Sequence, residues 1–178
     1  MIAEQMQKYV EAFEEAGYGA WTNPSGPDNQ VAQFFCVVHI DEQDRNFVIQ
    51  GFYPREMAEA MGVEWGDVAL KMLQLTMPLP FPVEESALSE TALLLHMLNA
   101  VTPVGQFILS EQEQSVSYRA VLPHSDEMIE PSVVLEVVNM AQFFCTEYAQ
   151  VIEPVAAGTS THQEVAEAAL RAAQNSTS

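Results

Sequence analysis

Basic residues are scarce in this chain. Six lysines and arginines stand against 25 aspartates and glutamates in 178 residues, which gives a formal net charge of −19. This charge repels the phosphates of nucleic acids and the surfaces of anionic membranes, so we expect neither as a partner. It favours solubility, or a basic or amphipathic polypeptide as the partner. Because 48% of the residues are hydrophobic, the chain predicts a folded domain and not a disordered acidic tail.

Long apolar runs and cysteines are also few. No run reaches the roughly 18 apolar residues of a membrane span, and the start lacks the basic and apolar segments of a signal peptide. We therefore expect a cytoplasmic protein. Cys36 and Cys145 each lie in an apolar run without a C-x-x-C pair, which predicts two core residues and neither a disulfide nor a zinc site.

Motifs of the common enzyme classes are missing. The chain has no G-x-S-x-G, no phosphate-binding P-loop and no G-x-G-x-x-G. Its four histidines, His39, His96, His124 and His162, do not stand at metal-ligand spacing with another histidine or a cysteine. The sequence therefore predicts no catalytic residue, no metal ligand and no cofactor, and we expect a protein that is not an enzyme.

The first half of the chain predicts helices and three strands. Apolar residues recur at helical spacing over residues 2–16. Two β-rich runs, 31–40 and 45–53, flank the polar turn DEQD and predict a hairpin. A short helix is expected over 53–62. Residues 67–77 fit strand alternation and helical spacing alike, and we favour a strand because the closely spaced prolines that follow hold the chain extended.

The second half predicts a helix, a hairpin and a long helix. Ser89 is placed to cap a helix over 90–101. Residues 105–123, GQFILSEQEQSVSYRAVLP, alternate around a polar turn as two strands. Pro131 is placed to start a helix over 131–152, whose broad apolar stripe predicts core contacts. The residues of the stripe are Val134, Val137, Val138, Ala141, Phe144, Cys145, Tyr148 and Ile152.

The C-terminal end differs in composition from the rest. Thr161 and Glu164 form a capping-box pattern that opens an Ala-rich helix with little apolar surface for a core. We expect residues 1–157 to form a single domain. Residues 158–178 are then a loosely attached helix with a disordered end.

Residues 94–152 resemble a known family. The block from LLHMLNAVTPVGQFILS to MAQFFCTEYAQVI is similar to the YbjN-like domain family, of a branch common in cyanobacteria, and more distantly to the class I type III secretion chaperones. The shared features are Leu98-Asn99 at a helix end, G-x-F-x-L at 105–109, Leu122-Pro123 closing a strand, and a long helix with a central aromatic residue. Asn99 also suits a left-handed helix end and Gly105 a tight turn into a strand.

The resemblance implies both a fold and a role. It covers residues 67–157 well and residues 1–66 only in the order of the elements. The implied fold is α+β: a helix, a three-strand antiparallel sheet, a helix, two strands and a long C-terminal helix, as in the secretion chaperones. The implied role is a chaperone-like or adaptor-like protein-binding module that forms dimers, and no catalytic residue is carried over. The alternatives are a signalling or transcription regulator that acts through protein contacts, or an enzyme of unrecognised type.

Strand alternation divides the predicted sheet into two faces. One face is wholly apolar and is expected under the helices (Phe34, Cys36, Val38, Ile40, Phe47, Ile49, Tyr53, Val116, Tyr118 and Leu122). The other face is mixed, and its half-apolar character predicts a surface that binds an extended or amphipathic polypeptide, or partly a dimer contact. We expect the surrounding acidic residues to attract basic residues of the partner. The predicted contact residues are Phe35, Val37, His39, Val48, Gln50, Phe52, Arg119 and Val121.

Overall fold

The computed structural model of the chain describes residues 2–26, 31–64, 66, 70–125 and 128–175. These residues form an α+β fold with five α-helices and six strands. In chain order the elements are α1 (Ile2–Glu15), β1 (Gly19–Asn23), β2 (Gln33–Ile40), β3 (Asn46–Phe52), α2 (Pro54–Ala60), β4 (Lys71–Pro82), α3 (Leu88–Asn99), β5 (Gln106–Ser110), β6 (Ser115–His124), α4 (Pro131–Ala156) and α5 (His162–Asn175).

The six strands form a single antiparallel sheet in the order β1-β2-β3-β4-β6-β5. We predicted a group of three strands and a separate group of two. The structure joins them, because β4 pairs with β6 from Lys71 opposite His124 to Pro78 opposite Ser117. The predicted α+β class is confirmed, whereas the predicted division of the sheet is wrong.

Strand β1 was not predicted. Its sequence, GAWTN, follows the glycine that ends α1 and reads as loop because it is short and weakly apolar. It is a strand because all five of its residues pair with β2, from Gly19 opposite Val37 to Asn23 opposite Gln33. It lies at the edge of the described sheet, next to β2.

The helices bury one face of the sheet. Helix α1 packs on β1 and β2, and α4 packs on β2, β4, β6, α1 and α3. Of the ten residues predicted to lie under the helices, eight are buried and Leu122 is partly buried. The exception is Ile40, which is 56% exposed because it lies at the strand end, beyond a bulge between Val37 and His39.

Strand β4 continues through the prolines that were expected only to follow it. It starts at Lys71, and residues 67–69 of the predicted strand lie outside the described residues. The pairing of β4 with β3 ends at Thr76, so from Pro78 onward β4 has a paired strand only on the β6 side. Prolines are tolerated there because a missing N–H removes no bond on the unpaired side.

The boundaries of α3 and α4 differ from the prediction. Helix α3 starts at Leu88 after a 3-10 turn, so Ser89 lies inside the helix and does not cap it. Helix α4 starts at Pro131 as predicted but extends past residue 152 and through Pro154 to Ala156. A proline inside a helix removes one backbone hydrogen bond. The buried residues Val155 and Ala156 pack the last turn into the core and so favour its continuation.

Most of the predicted stripe on α4 is core. Val134, Val138, Ala141, Cys145 and Ile152 are fully buried, whereas Val137, Phe144 and Tyr148 are only partly buried. Both cysteines are buried and unpaired, as predicted. Burial raises the pKa of the Cys36 thiol to about 12, which leaves almost no reactive thiolate at neutral pH.

Helix α5 is attached at its N-terminus. The capping box forms as predicted: the backbone N–H of Thr161 donates to Glu164 Oε2 at 2.8 Å, and that of Glu164 donates to Thr161 Oγ1 at 3.2 Å. A second attachment joins α5 to α3, since Glu90 Oε2 lies 2.6 Å from His162 Nδ1 and accepts the backbone N–H of His162 at 3.1 Å. No described residue of α5 is buried. The last three residues, 176–178, lie outside the described part.

Acid should release α5 from α3. The hydrogen bonds from His162 hold the pKa of the Glu90 carboxyl below its ordinary value. Because the carboxyl pKa is lower in the attached state, the ionised carboxylate stabilises the attachment at any pH above the ordinary pKa. This stabilisation is lost as the pH falls through the lowered pKa. We expect the amides of α5 to lose hydrogen-exchange protection between pH 6 and pH 3 while those of β4 keep theirs. His162→Ala should show low α5 protection already at pH 6. Unchanged α5 protection at pH 3 in the wild-type chain would contradict the expectation.

Candidate functional site

The sheet face that points away from α1 and α4 is the candidate site, and we call it the open face. It consists of the odd-numbered residues of β1, β6 and of β2 up to Val37, and the even-numbered residues of β3, β4 and β5. All of these residues except Phe52 are half-buried or exposed, whereas most of the alternate residues on the helix side are buried. The open face is therefore the accessible side of the sheet.

Strand register aligns six of these residues in a straight row across the sheet. Each pair of neighbours in the row consists of directly opposed residues on adjacent strands. In strand order the row is Trp21, Phe35, Gln50, Thr76, Arg119 and Gln106. We call this the central row. Side chains of directly opposed residues lie on the same face and contact one another, so the row is a continuous surface.

The β1–β3 end of the open face is apolar. Trp21 is 46% exposed, and its ring stacks on Phe35 with the ring centres 5.4 Å apart and the planes 14° apart. Val37 and Val48 are directly opposed on β2 and β3. An exposed aromatic pair beside two valines offers the kind of contact on which protein interfaces are centred.

The middle of the open face carries amides. Gln50 Nε2 donates to Gln33 Oε1 at 2.9 Å, and Gln74 Nε2 donates to Thr76 Oγ1 at 3.1 Å. Each side-chain amide has more than one donor and acceptor, so these groups retain capacity for further hydrogen bonds.

None of the strands that the structure describes contains an acidic residue. The chain has 25 aspartates and glutamates, yet the six described strands have none, and Arg119 is the single charged residue of the open face. The carboxylates that the structure describes lie on helices, turns and connecting segments. The open face is thus an uncharged region, apart from one guanidinium, on a strongly acidic protein.

Seven of the eight predicted contact residues lie on the open face. They are Phe35, Val37, Val48, Gln50, Phe52, Arg119 and Val121. Phe52 is only 8% exposed and so offers little contact surface, whereas Val121 is 44% exposed. His39 lies elsewhere, because the bulge shifts it opposite Phe47, a core residue. Its ring lines a groove beside α4 instead.

That groove lies between the β2–β3 turn and α4 and has a volume of about 580 Å³. Arg45 spans it: the guanidinium bonds both carboxylate oxygens of Glu153, at 2.6 and 2.9 Å, and Asp41 at 2.7 Å. The bonds to Glu153 raise the pKa of the Arg45 guanidinium. Because two carboxylates already surround it, Arg45 fastens the turn to α4 and is not available for a ligand.

A smaller cavity of about 320 Å³ lies between α2 and the start of β4. Glu56 lines it, and burial raises the pKa of its carboxyl although Lys71 acts in the opposite direction. Within the described ranges, no three histidine, cysteine, aspartate or glutamate side chains are grouped so that they could hold a metal ion.

Comparison with known proteins does not place the chain in a family. No family model and no curated protein matches it. A solved structure that does match is that of an uncharacterized protein from Methanothermobacter thermautotrophicus. That protein is 12% identical, with 85% of this chain and 96% of that chain covered and a TM-score of 0.47. The resemblance to the YbjN-like family stays a prediction. None of the described helices has the length and apolar character needed to cross a membrane.

The residues of the open face that were missed from the sequence include Trp21, Gln74 and Thr76. Trp21 was not considered because β1 was not predicted. Gln74 and Thr76 were not considered because the residues of the predicted strand 67–77 were not assigned to either face of the sheet. A signal was available for Trp21, since a tryptophan bounded by small residues in GAWTN, outside any helical pattern, is typical of a strand or a contact. Within the predicted strands 31–40 and 45–53 the absence of acidic residues was also visible in the sequence.

Proposed function

We propose that the protein is a cytoplasmic, non-catalytic binding module whose open face holds a polypeptide partner, in the manner of a chaperone or an adaptor. One observation carries the proposal: the accessible face of the sheet is free of carboxylates in a chain of net charge −19. Burying an ionised carboxylate without a partner charge is strongly unfavourable. A partner can therefore cover the open face without removing any carboxylate from water.

The composition of the open face favours an amphipathic segment as the partner. Trp21 and Phe35 provide apolar contact, and Gln50 and Gln74 provide hydrogen bonds. Acidic residues lie in the turns at the strand ends, at 41–44 between β2 and β3 and at 111–113 between β5 and β6. They would attract basic residues that flank the bound segment. This charge attraction acts mainly on the rate of association and is reduced by salt.

Substitution on the open face should abolish partner capture without unfolding the protein. We expect the tagged wild-type chain to retain one dominant polypeptide from a lysate of the source cells. Phe35→Asp and Val37→Asp should lose it, because a buried carboxylate without a partner charge opposes binding. Their melting temperatures should stay within a few degrees of wild type, since both side chains are half-exposed.

A matched control is Val133→Asp on α4, where the valine is 48% exposed on a helix that packs on the opposite side of the sheet. It should capture the partner as well as the wild-type chain does. Raising the salt concentration should slow association more than it speeds release. Undiminished capture by Phe35→Asp, or unfolding of both open-face variants, would contradict the proposal.

We also propose a homodimer, and the structure changes the reason for it. The broad apolar stripe of α4 suggested contact with a second copy of the chain. In the structure this stripe packs against α1, α3 and the sheet of the same chain. The outward side of α3 is a better contact: Leu93 and Met97, one helical turn apart, are 48% and 37% exposed, and Val101 in the turn after the helix is 68% exposed. Glu90 lies on the same side, one turn before Leu93, and its carboxylate bonds His162 of α5. The proposed contact therefore centres on residues 93–101, which contain no acidic residue.

Light scattering tests the dimer. We expect a mass near twice 19.7 kDa at micromolar concentration for the wild-type chain. Leu93→Asp should give a mass near 19.7 kDa, while Phe35→Asp should remain dimeric. A monomeric wild-type chain at all micromolar concentrations, or a dimer that tolerates Leu93→Asp, would contradict the proposed contact.

A further inference from the structure

Arg119 differs from the other arginines because it has no counter-charge among the described residues. Arg45 pairs with Asp41 and Glu153, Arg55 with Glu59, and Arg171 with Glu167. The side chain of Arg119 makes no ion pair or hydrogen bond with any residue in the described ranges. It lies in the central row between Thr76 and Gln106, neither of which carries a charge.

The position of Arg119 relative to the aromatic pair is fixed by strand register. Phe35 and Arg119 are separated by three strand spacings, which is about 14 Å at about 4.8 Å for each spacing. Trp21 lies one spacing further, about 19 Å from Arg119. Gln50 and Thr76 occupy the row between them and hold no charge.

We propose that the partner places a carboxylate on Arg119 and an apolar side chain on Trp21 and Phe35, with the two groups about 14 Å apart. The inference rests on the proposed function and specifies the chemistry of the bound segment. A partner that covered Arg119 without a carboxylate would remove the guanidinium from water and leave it unpaired. A carboxylate there forms two parallel hydrogen bonds with the guanidinium.

A second copy of this chain cannot fill that role face to face. Its open face carries no carboxylate, so two such faces would bring two uncompensated Arg119 side chains into one interface. Nucleic acid phosphates could pair with Arg119, but the net charge of −19 repels them. The observations therefore favour a different polypeptide, with its basic residues outside the contact and an acidic residue within it.

The 14 Å separation predicts a spacing in the partner's sequence. An extended segment that crosses the strands covers this distance in about four residues at about 3.3 Å each. A helix covers it in about nine residues at 1.5 Å each, so the same helix face offers residues about seven or eleven positions apart. The expected motif is an aromatic or aliphatic residue with an aspartate or glutamate at one of these separations.

A random peptide display library tests the motif. We expect wild-type protein to enrich peptides that carry an acidic residue at a fixed separation from an apolar one, and Arg119→Glu to enrich a lysine or arginine in that place. One enriched peptide is then synthesised with the acidic residue and with its amide. The amide should bind wild-type protein about tenfold more weakly, and should bind Arg119→Gln no more than about twofold more weakly than the acid does.

The outcomes separate this inference from the proposed function. Enriched peptides without an acidic residue, or an equal loss on amidation with wild type and Arg119→Gln, overturn the inference. If Phe35→Asp still abolishes binding of those peptides, the proposed function stands. Peptides that neither Phe35→Asp nor Arg119→Glu affects, or a library that yields no binder, overturn both. Melting curves of each variant, with Val133→Asp as the control, show that the variants are folded.

Discussion

Replacing Phe34 by alanine should lower the free energy of unfolding by about 3–5 kcal/mol. Phe34 is fully buried at the junction of α1 and the sheet. Its ring centre lies 5.6 Å from that of Tyr9 and 5.2 Å from that of Phe13, and its edge lies over Gly51. Because its neighbours come from a helix and a paired strand, they cannot close around the space that the ring leaves, and the cavity remains.

Urea unfolding of matched phenylalanine variants measures this effect. The sequence marked Phe144 as a core residue, but the structure shows it only partly buried against Phe143 and Tyr148. Phe144→Ala should therefore cost less than about 2 kcal/mol, since only part of its apolar area is removed from water. Equal losses for the two variants would show that Phe34 does not occupy the centre of the core.

Replacing Gly51 by valine should destabilise the protein by about 3 kcal/mol, the upper part of the usual range for overpacking. A Cβ atom at residue 51 would lie 2.1 Å from the Phe34 ring. The ring cannot turn away, because Phe34 is enclosed by Tyr9 and Phe13. The backbone of residue 51 cannot shift freely either, since β3 pairs with β2 and β4 at this position.

A double-mutant cycle tests the cause. If the valine acts by clashing with Phe34, the combination of Phe34→Ala with Gly51→Val should be less destabilised than the sum of the two changes, by at least about 1 kcal/mol. Additive losses would assign the effect to strand pairing instead. Gly19→Val, at an exposed β1 position where a Cβ meets no neighbour within 4 Å, is the matched control and should change stability by less than about 1 kcal/mol.

The local pattern of the sequence determined the faces and most of the elements. Alternation in β2, β3 and β6 placed seven of the eight predicted contact residues on one side of the sheet. Successive strand residues point to opposite faces whichever strand is the neighbour. The Thr161–Glu164 box formed because it needs only residues three apart. The positive φ of Gly105, +71°, likewise agrees with the tight turn expected before β5.

The tertiary structure decided what depends on distant residues. Asn99 does end α3, but its backbone is not left-handed; its side-chain amide exchanges two hydrogen bonds with the backbone of Phe107, at 2.9 and 2.7 Å. The bulge that removes His39 from the open face follows from the pairing of β2 with β3. A bulge is set by the fit between two strands and is not visible in either strand alone.

The alignment of the central row was determined entirely by the pairing of strands. The alternation in the sequence predicted that Phe35 and Arg119 lie on the same outward face of the sheet. It did not fix that β4 lies between β3 and β6, nor that Thr76 stands opposite both Gln50 and Arg119. The direction of a side chain depends only on its neighbours along the strand. Register between strands far apart in sequence depends on the packing of the whole core, because a shift by one residue would turn a buried face outward.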